Sequence, residues 1–228
     1  MQSGSYGRKP PRVQRLAACA LLALSFALAP GAGVQAVERL TKIVVLGDSL
    51  TAGFGLPTAE AFPAKLAEAL KTKGIDVVIA NAGVSGDTAS GGLDRVDWSV
   101  PEGTDAVIVE LGANDALRGL DPDITKMALD KILRKLADRR IAVLLAGMRA
   151  PRNLGPDYTR AFDGIYQALA STHSVVFYPF FLEGVAADPK LNQADGLHPN
   201  AAGVDTIVTR ILPRVEELIA RARSARGS

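Results

Sequence analysis

The sequence predicts an α/β fold, a parallel sheet with helices on both faces. Five short apolar runs, at 43–46, 75–80, 106–111, 141–146 and 175–178, alternate with stretches of helical periodicity. Apart from Asp76 and Glu110 the runs are apolar throughout, as strands covered on both faces are. Polar loops follow the first three of them. A parallel sheet gathers such loops at its carboxyl edge, where ligands bind in open α/β sheets.

The first run, Ile43-Val44-Val45-Leu46, has three β-branched residues and reads as a buried strand. Gly47-Asp48-Ser49 breaks it, which puts a hydroxyl at the sheet edge. Taken alone, the same three residues are ordinary turn formers, with Ser49 capping a helix. Residues 58–73 carry Phe62, Leu66, Ala69 and Leu70 at helical spacing, and Gly74 stops them. The second strand runs to Ala80. A loop of Asn81-Ala82-Gly83-Val84-Ser85-Gly86-Asp87-Thr88 then leads to a short helix at 89–96. The third strand ends at Gly112-Ala113-Asn114-Asp115. Asp121-Pro122 opens the next helix by cap and first-turn proline, with Ile124, Met127, Ile132, Leu133 and Leu136 expected to face inward. The fourth strand precedes a loop with Pro151, Gly155 and Pro156, then a helix at 157–170. After the fifth strand, 180–195 reads as irregular. A final helix from Pro199 carries Val204, Ile207, Val208, Ile211, Val215, Leu218 and Ile219.

A chain of 228 residues fits one such domain with a leader ahead of it. The leader is read at 1–36. Arg8, Lys9, Arg12 and Arg15 precede an apolar run from Leu16 to Leu28, and Val34-Gln35-Ala36 offers a small-residue cleavage site. The run is shorter than the ~20 residues a membrane span needs, so no stable anchor is expected once the leader is removed. Export to the periplasm or the medium follows. The domain is then 37–222, with a flexible tail at 223–228.

The leader holds four of the 26 Lys+Arg and none of the 24 Asp+Glu, so the remainder carries 22 against 24, a net charge of −2. No nucleic-acid partner is expected of such a balance. Cys19 is the one cysteine and lies in the leader, so there is neither an intramolecular disulfide nor a cysteine metal cluster. The histidines are His173 and His198. His173, in Ser171-Thr172-His173-Ser174, reads as a solvated loop residue. No metal and no cofactor are expected.

His198 therefore carries any histidine-dependent chemistry. It stands in Asp195-Gly196-Leu197-His198-Pro199, a turn whose spacing can place the Asp195 carboxylate against one imidazole nitrogen. A serine hydroxyl attacks only when a base takes its proton, so Ser49 would be nucleophile and His198 the base. The developing oxyanion needs fixed donors. The candidates are the backbone N–H groups of Ser49 and Gly86 and the side-chain amide of Asn114. Singly, Gly86 is also a plain turn glycine, and Asn114, Asp195 and His198 are also capping or surface residues.

Together, Gly47-Asp48-Ser49-Leu50, Gly86 in Ser-Gly-Asp-Thr, Gly112-Ala113-Asn114-Asp115 and Asp195-Gly196-Leu197-His198-Pro199 resemble the four blocks of the GDSL, or SGNH, hydrolase superfamily, in that family's order. Val109 to Asp115 with Leu117-Arg118-Gly119, and Phe180-Phe181-Leu182, are similar to its periplasmic acyl-CoA thioesterase, lysophospholipase and arylesterase branch. The resemblance implies a flavodoxin-like three-layer α/β/α sandwich with a five-stranded parallel sheet. It implies Ser49, Asp195 and His198 as catalytic triad and Ser49, Gly86 and Asn114 as oxyanion hole. It also implies a serine esterase acting on aryl and alkyl esters, acyl thioesters and lysophospholipids. Leu117, Met148, Leu154 and Phe181 are the candidate acyl-binding residues, while Arg149 and Arg152 read as water-facing. A small-molecule ester or thioester is the expected partner, and the chain is expected to be a monomer or weak oligomer. The alternatives are a carbohydrate O-acetyl esterase on the same scaffold and a non-catalytic binding module.

Overall fold

The computed structural model of the chain describes residue 7 and residues 39–226. The expected leader, its cleavage after Ala36 and Cys19 fall outside the described residues. Five strands form one parallel sheet in the order β2-β1-β3-β4-β5. They are β1 (Thr41–Gly47), β2 (Val77–Gly83), β3 (Ala106–Glu110), β4 (Ala142–Ala146) and β5 (Val176–Tyr178). The helices are α1 (Ser49–Ala52), α2 (Phe62–Thr72), α3 (Ala89–Ser99), α4 (Ala113–Leu117), α5 (Pro122–Asp138), α6 (Pro156–Thr172) and α7 (Ala201–Arg226). Helices α2 and α7 pack together as one outer layer, and α3, α5 and α6 as the other. The result is the three-layer α/β/α arrangement.

The central strands β1 and β3 are buried on both faces, Lys42 apart, because helices cover both. Strand β2 is the edge and differs. Its exposure varies along its length, and Val78 is 47% exposed. It also extends further than expected, through Asn81 and Ala82 to Gly83, because it stays in register with β1 up to Gly47. Gly47 in turn pairs with Glu110 of β3, and Glu110 with Ala146 of β4. Four strands thus finish at one level, and the turns that follow form one rim.

Several expectations need correction. Residues 58–60 are a separate 3₁₀ turn, and the helix begins at Phe62. On α5, Ile124 and Met127 face outward, 45% and 56% exposed. The buried stripe is Thr125, Ala128, Leu129, Ile132, Leu133 and Leu136, one position out of phase with them. Thr125 is accommodated there because its hydroxyl donates to Asp115 Oδ1 at 3.0 Å. His173 is not solvated. It stops α6 and its Nε2 lies 2.7 Å from Asp130 Oδ1 on α5. The segment 223–226 is no loose tail but the last turn of α7. The Arg226 guanidinium donates to Arg39 O at 3.0 Å and to Thr41 Oγ1 at 2.7 Å, tying that turn to the start of β1.

Candidate active site

The β1–α1 turn aims Ser49 at the rim. Asp48 caps α1, its Oδ1 accepting from the Leu50 backbone N–H at 2.9 Å. Ser49 is then the first residue of the helix and is 9% exposed. From the far end of the chain, the 195–198 turn is closed locally. Asp195 Oδ1 accepts from the backbone N–H groups of Leu197, at 2.9 Å, and His198, at 3.0 Å. That leaves Oδ2 2.6 Å from His198 Nδ1. The other ring nitrogen, Nε2, lies 2.9 Å from Ser49 Oγ. Phe54, on the loop after α1, leans on the imidazole with ring centroids 4.6 Å apart. Hydroxyl, imidazole and carboxylate are therefore in one hydrogen-bonded line.

Asn114 stands at the start of α4. Its Nδ2 donates to Asp87 O at 2.9 Å and to Asp48 Oδ2 at 3.2 Å. This binds the loop after β2 to the loop after β1. Gly86 sits in the first of these at φ +83°, a conformation that favours glycine, and the Arg118 guanidinium donates to its carbonyl at 2.7 Å. A second brace lies beneath. Arg95 is nearly buried, pairs with Asp87 Oδ2 at 2.7 Å and donates to Ala82 O and Gly47 O.

Two carboxyls at the site are pushed in opposite directions. The N–H groups of His198 and Leu197 and the His198 ring hold Asp195 down at about 2. Burial pushes Asp48 up to about 6, against the opposing pull of the Leu50 N–H and the Asn114 amide. The line facing Ser49 therefore ends in a firm anion, able to support a charged imidazole.

Ser49, Asn114 and His198 line one cavity of about 490 Å³. Of the four candidate acyl-binding residues, Leu117 and Met148 also line it, and Leu154 and Phe181 do not. Phe181 is wholly buried and packs edge-on against Phe62 at 5.1 Å, while its neighbours Phe180 and Leu182 face the cavity. Leu154 lies on a 3₁₀ turn, at 152–154, that presents Pro151 and Arg152 to the cavity instead. Arg149 and Arg152 do not simply face water. The Arg149 guanidinium lies 4.7 Å over the Phe180 ring, and Arg152 pairs with Asp163 at 2.8 Å. Phe54 was not foreseen; its one signal is an aromatic flanked by Gly53 and Gly55 just after the serine turn. Among the described residues no cluster of three or more His, Cys, Asp or Glu is placed to hold a metal ion.

Known proteins resemble this chain over most of its length. Residues 45–205 match the model of the GDSL-like Lipase/Acylhydrolase family. The chain is 40% identical over 180 residues to an arylesterase of Vibrio mimicus, covering 78% of this chain and 88% of that one. It is 36% identical over 178 residues to the thioesterase 1/protease 1/lysophospholipase L1 of Escherichia coli (strain K12), covering 78% and 84%. The crystal structure of AlinE4, an SGNH-hydrolase family esterase, superposes with a TM-score of 0.68 at 46% identity, covering 80% of this chain and 98% of that one.

Proposed function

From the premise that the chain belongs to the GDSL-like lipase/acylhydrolase family, as a serine hydrolase of the esterase type, we propose that it hydrolyses aryl and alkyl carboxylic esters and acyl thioesters, with lysophospholipids as further substrates, through Ser49, His198 and Asp195. The observation that carries this reading is the unbroken line from Ser49 Oγ to His198 Nε2 at 2.9 Å and from His198 Nδ1 to Asp195 Oδ2 at 2.6 Å.

In this reading Ser49 Oγ attacks the acyl carbon while His198 Nε2 takes the hydroxyl proton. Asp195 holds the ring in the productive tautomer and stabilises the imidazolium. The carbonyl oxygen becomes an oxyanion. Its donors are the backbone N–H groups of Ser49 and Gly86 and the Asn114 amide. Collapse expels the alcohol, phenol or thiol, which takes its proton from Nε2. Water then attacks the acyl-serine by the same route and restores Ser49. Leu117, Met148, Phe180 and Leu182 supply an apolar wall for the acyl chain. The arylesterase and thioesterase relatives support both leaving-group classes. The basic and apolar pattern of residues 1–36 supports export. No helix among the described residues is long and apolar enough to cross a membrane.

A fluorophosphonate probe tests the reading directly. It should add one phosphonyl group at Ser49, located by peptide mass, and leave Ser49→Ala unlabelled. An unlabelled wild-type protein sinks the assignment. Acidification should also remove activity, because protonated His198 cannot accept the Ser49 proton. Asp195, held at about 2, stays ionised from neutral pH down to about pH 3. Its share of stability is present above the unfolded aspartate value and is lost only as pH falls through that low folded value. The acid limb of kcat/KM should therefore appear while circular dichroism still reports a folded chain. A rate with no acid limb at any pH where the chain stays folded would exclude a histidine base.

A further inference from the structure

Behind Ser49 lies a buried carboxyl that the reaction above does not use. Glu110 closes β3, an otherwise apolar strand, and is wholly buried. Its Oε2 faces the backbone N–H of Asp48 at 3.4 Å. Its Oε1 is the one buried side-chain nitrogen or oxygen among the described residues that lacks a hydrogen-bond partner. The β1–α1 turn brings Asp48, α6 brings Tyr166, and α3 brings Arg95. None of them neutralises an anion there. Tyr166 donates its hydroxyl to Leu111 O at 2.8 Å. The Arg95 guanidinium is spent on Asp87, Ala82 O, Ser99 and Gly47 O.

A carboxylate sealed in this place with one bare oxygen is disfavoured far more strongly than the neutral acid, because an unpaired buried charge costs much more than an unpaired hydroxyl. Asp48, its neighbour, differs in one respect. It is equally buried but accepts from the Leu50 N–H at 2.9 Å and the Asn114 amide at 3.2 Å. Those donors favour a charge on Asp48 over one on Glu110.

We propose that Glu110 is a positioning residue: it holds one proton as a neutral acid, leaves the negative charge on Asp48, and so keeps the Asn114 amide and the first turn of α1 aimed at the reacting carbonyl. Burial and the adjacent Asp48 both push Glu110 well above the usual carboxylate range, in agreement with this division. Were Glu110 ionised, repulsion would drive a proton onto Asp48. Asp48 would then be a poorer acceptor, and Asn114 would lose its tether. This assignment rests on Asn114 being the oxyanion donor proposed above.

The first test reads the proton without turnover. In protein labelled with ¹³C-glutamate, the infrared spectrum at pH 8 should hold a protonated-carboxyl carbonyl band, since Glu110 is the one buried glutamate among the described residues. The band should vanish in Glu110→Gln. Its absence from the wild type overturns the proposal, even if neither variant folds. The second test reads positioning. Glu110→Gln keeps a neutral group of the same size and should leave kcat for p-nitrophenyl butyrate within about threefold of wild type, with an unchanged pH profile. Asp48→Asn leaves one acceptor where the native carboxylate uses two, so it turns a donor either on Asn114 or on the Leu50 N–H and should lower kcat by about 10- to 100-fold at constant KM. A tenfold loss in Glu110→Gln, or an undiminished kcat in Asp48→Asn, overturns the positioning role. Loss of the hydrolase reading would show instead as an unlabelled Ser49, with the infrared result unaffected.

Discussion

Ser49→Ala is expected to lower kcat on a p-nitrophenyl ester by at least about 10⁴-fold, since removing the nucleophile of a triad costs that much or more. The structure explains why the loss should be confined to chemistry. Ser49 Oγ is bonded to His198 Nε2. The cap of α1 is made by Asp48, not by the serine hydroxyl. The variant thus loses one cavity-facing oxygen and its hydrogen bond to His198 while the α1 cap stays, so unfolding stability should fall by no more than about 1 kcal/mol. KM should change little, because the apolar side chains lining the cavity, at 117, 148, 180 and 182, are untouched. Steady-state kinetics and a thermal melt check both halves. Turnover within tenfold of wild type would mean that another group attacks the ester.

Asn114→Ala carries the second-largest expected effect, a fall of about 100- to 1000-fold in kcat with KM nearly unchanged, the usual cost of one oxyanion donor. Here a stability cost is also expected. The amide joins Asp87 O to Asp48 Oδ2, and its loss leaves both acceptors short of a donor. That should lower unfolding stability by about 1–3 kcal/mol. The kinetic effect is separable from it. Ser49 and His198 stay in line, so a fluorophosphonate should still label Ser49 in the variant, only more slowly. Loss of labelling altogether would place Asn114 in nucleophile activation instead. A kcat within threefold of wild type would remove it from the oxyanion hole.

Much of the fold was legible because strands buried on both faces leave a plain mark. Runs such as Ala106 to Leu111 have no polar residue until the sheet edge except Glu110, and helices such as α7 keep a regular buried stripe. The misreadings share a cause. Ile124 and Met127 are large and apolar, but the stripe on α5 is set by what faces α3 and α6, and Thr125 fits it with a hydrogen bond that no periodicity reveals. Phe180, Phe181 and Leu182 are chemically alike and lie in an irregular turn. With no helix or strand period to phase them, nothing local says that the middle one enters the core.

The sequence by itself determined the alternation of strand and helix, the polar turns at the strand ends and the Asp195–His198 turn, because each is written in neighbouring residues. Backbone N–H groups two and three residues on fold that last turn around its own carboxylate. Tertiary structure alone decided the rest. It brought Ser49 and His198 together across 149 residues of chain, because a parallel sheet ends its strands at one level and the segment between β5 and α7 stays at that edge, lining the cavity. It also sealed Glu110 behind the serine with a bare oxygen, since burial and the absence of a partner are properties of the packed whole and of no local stretch.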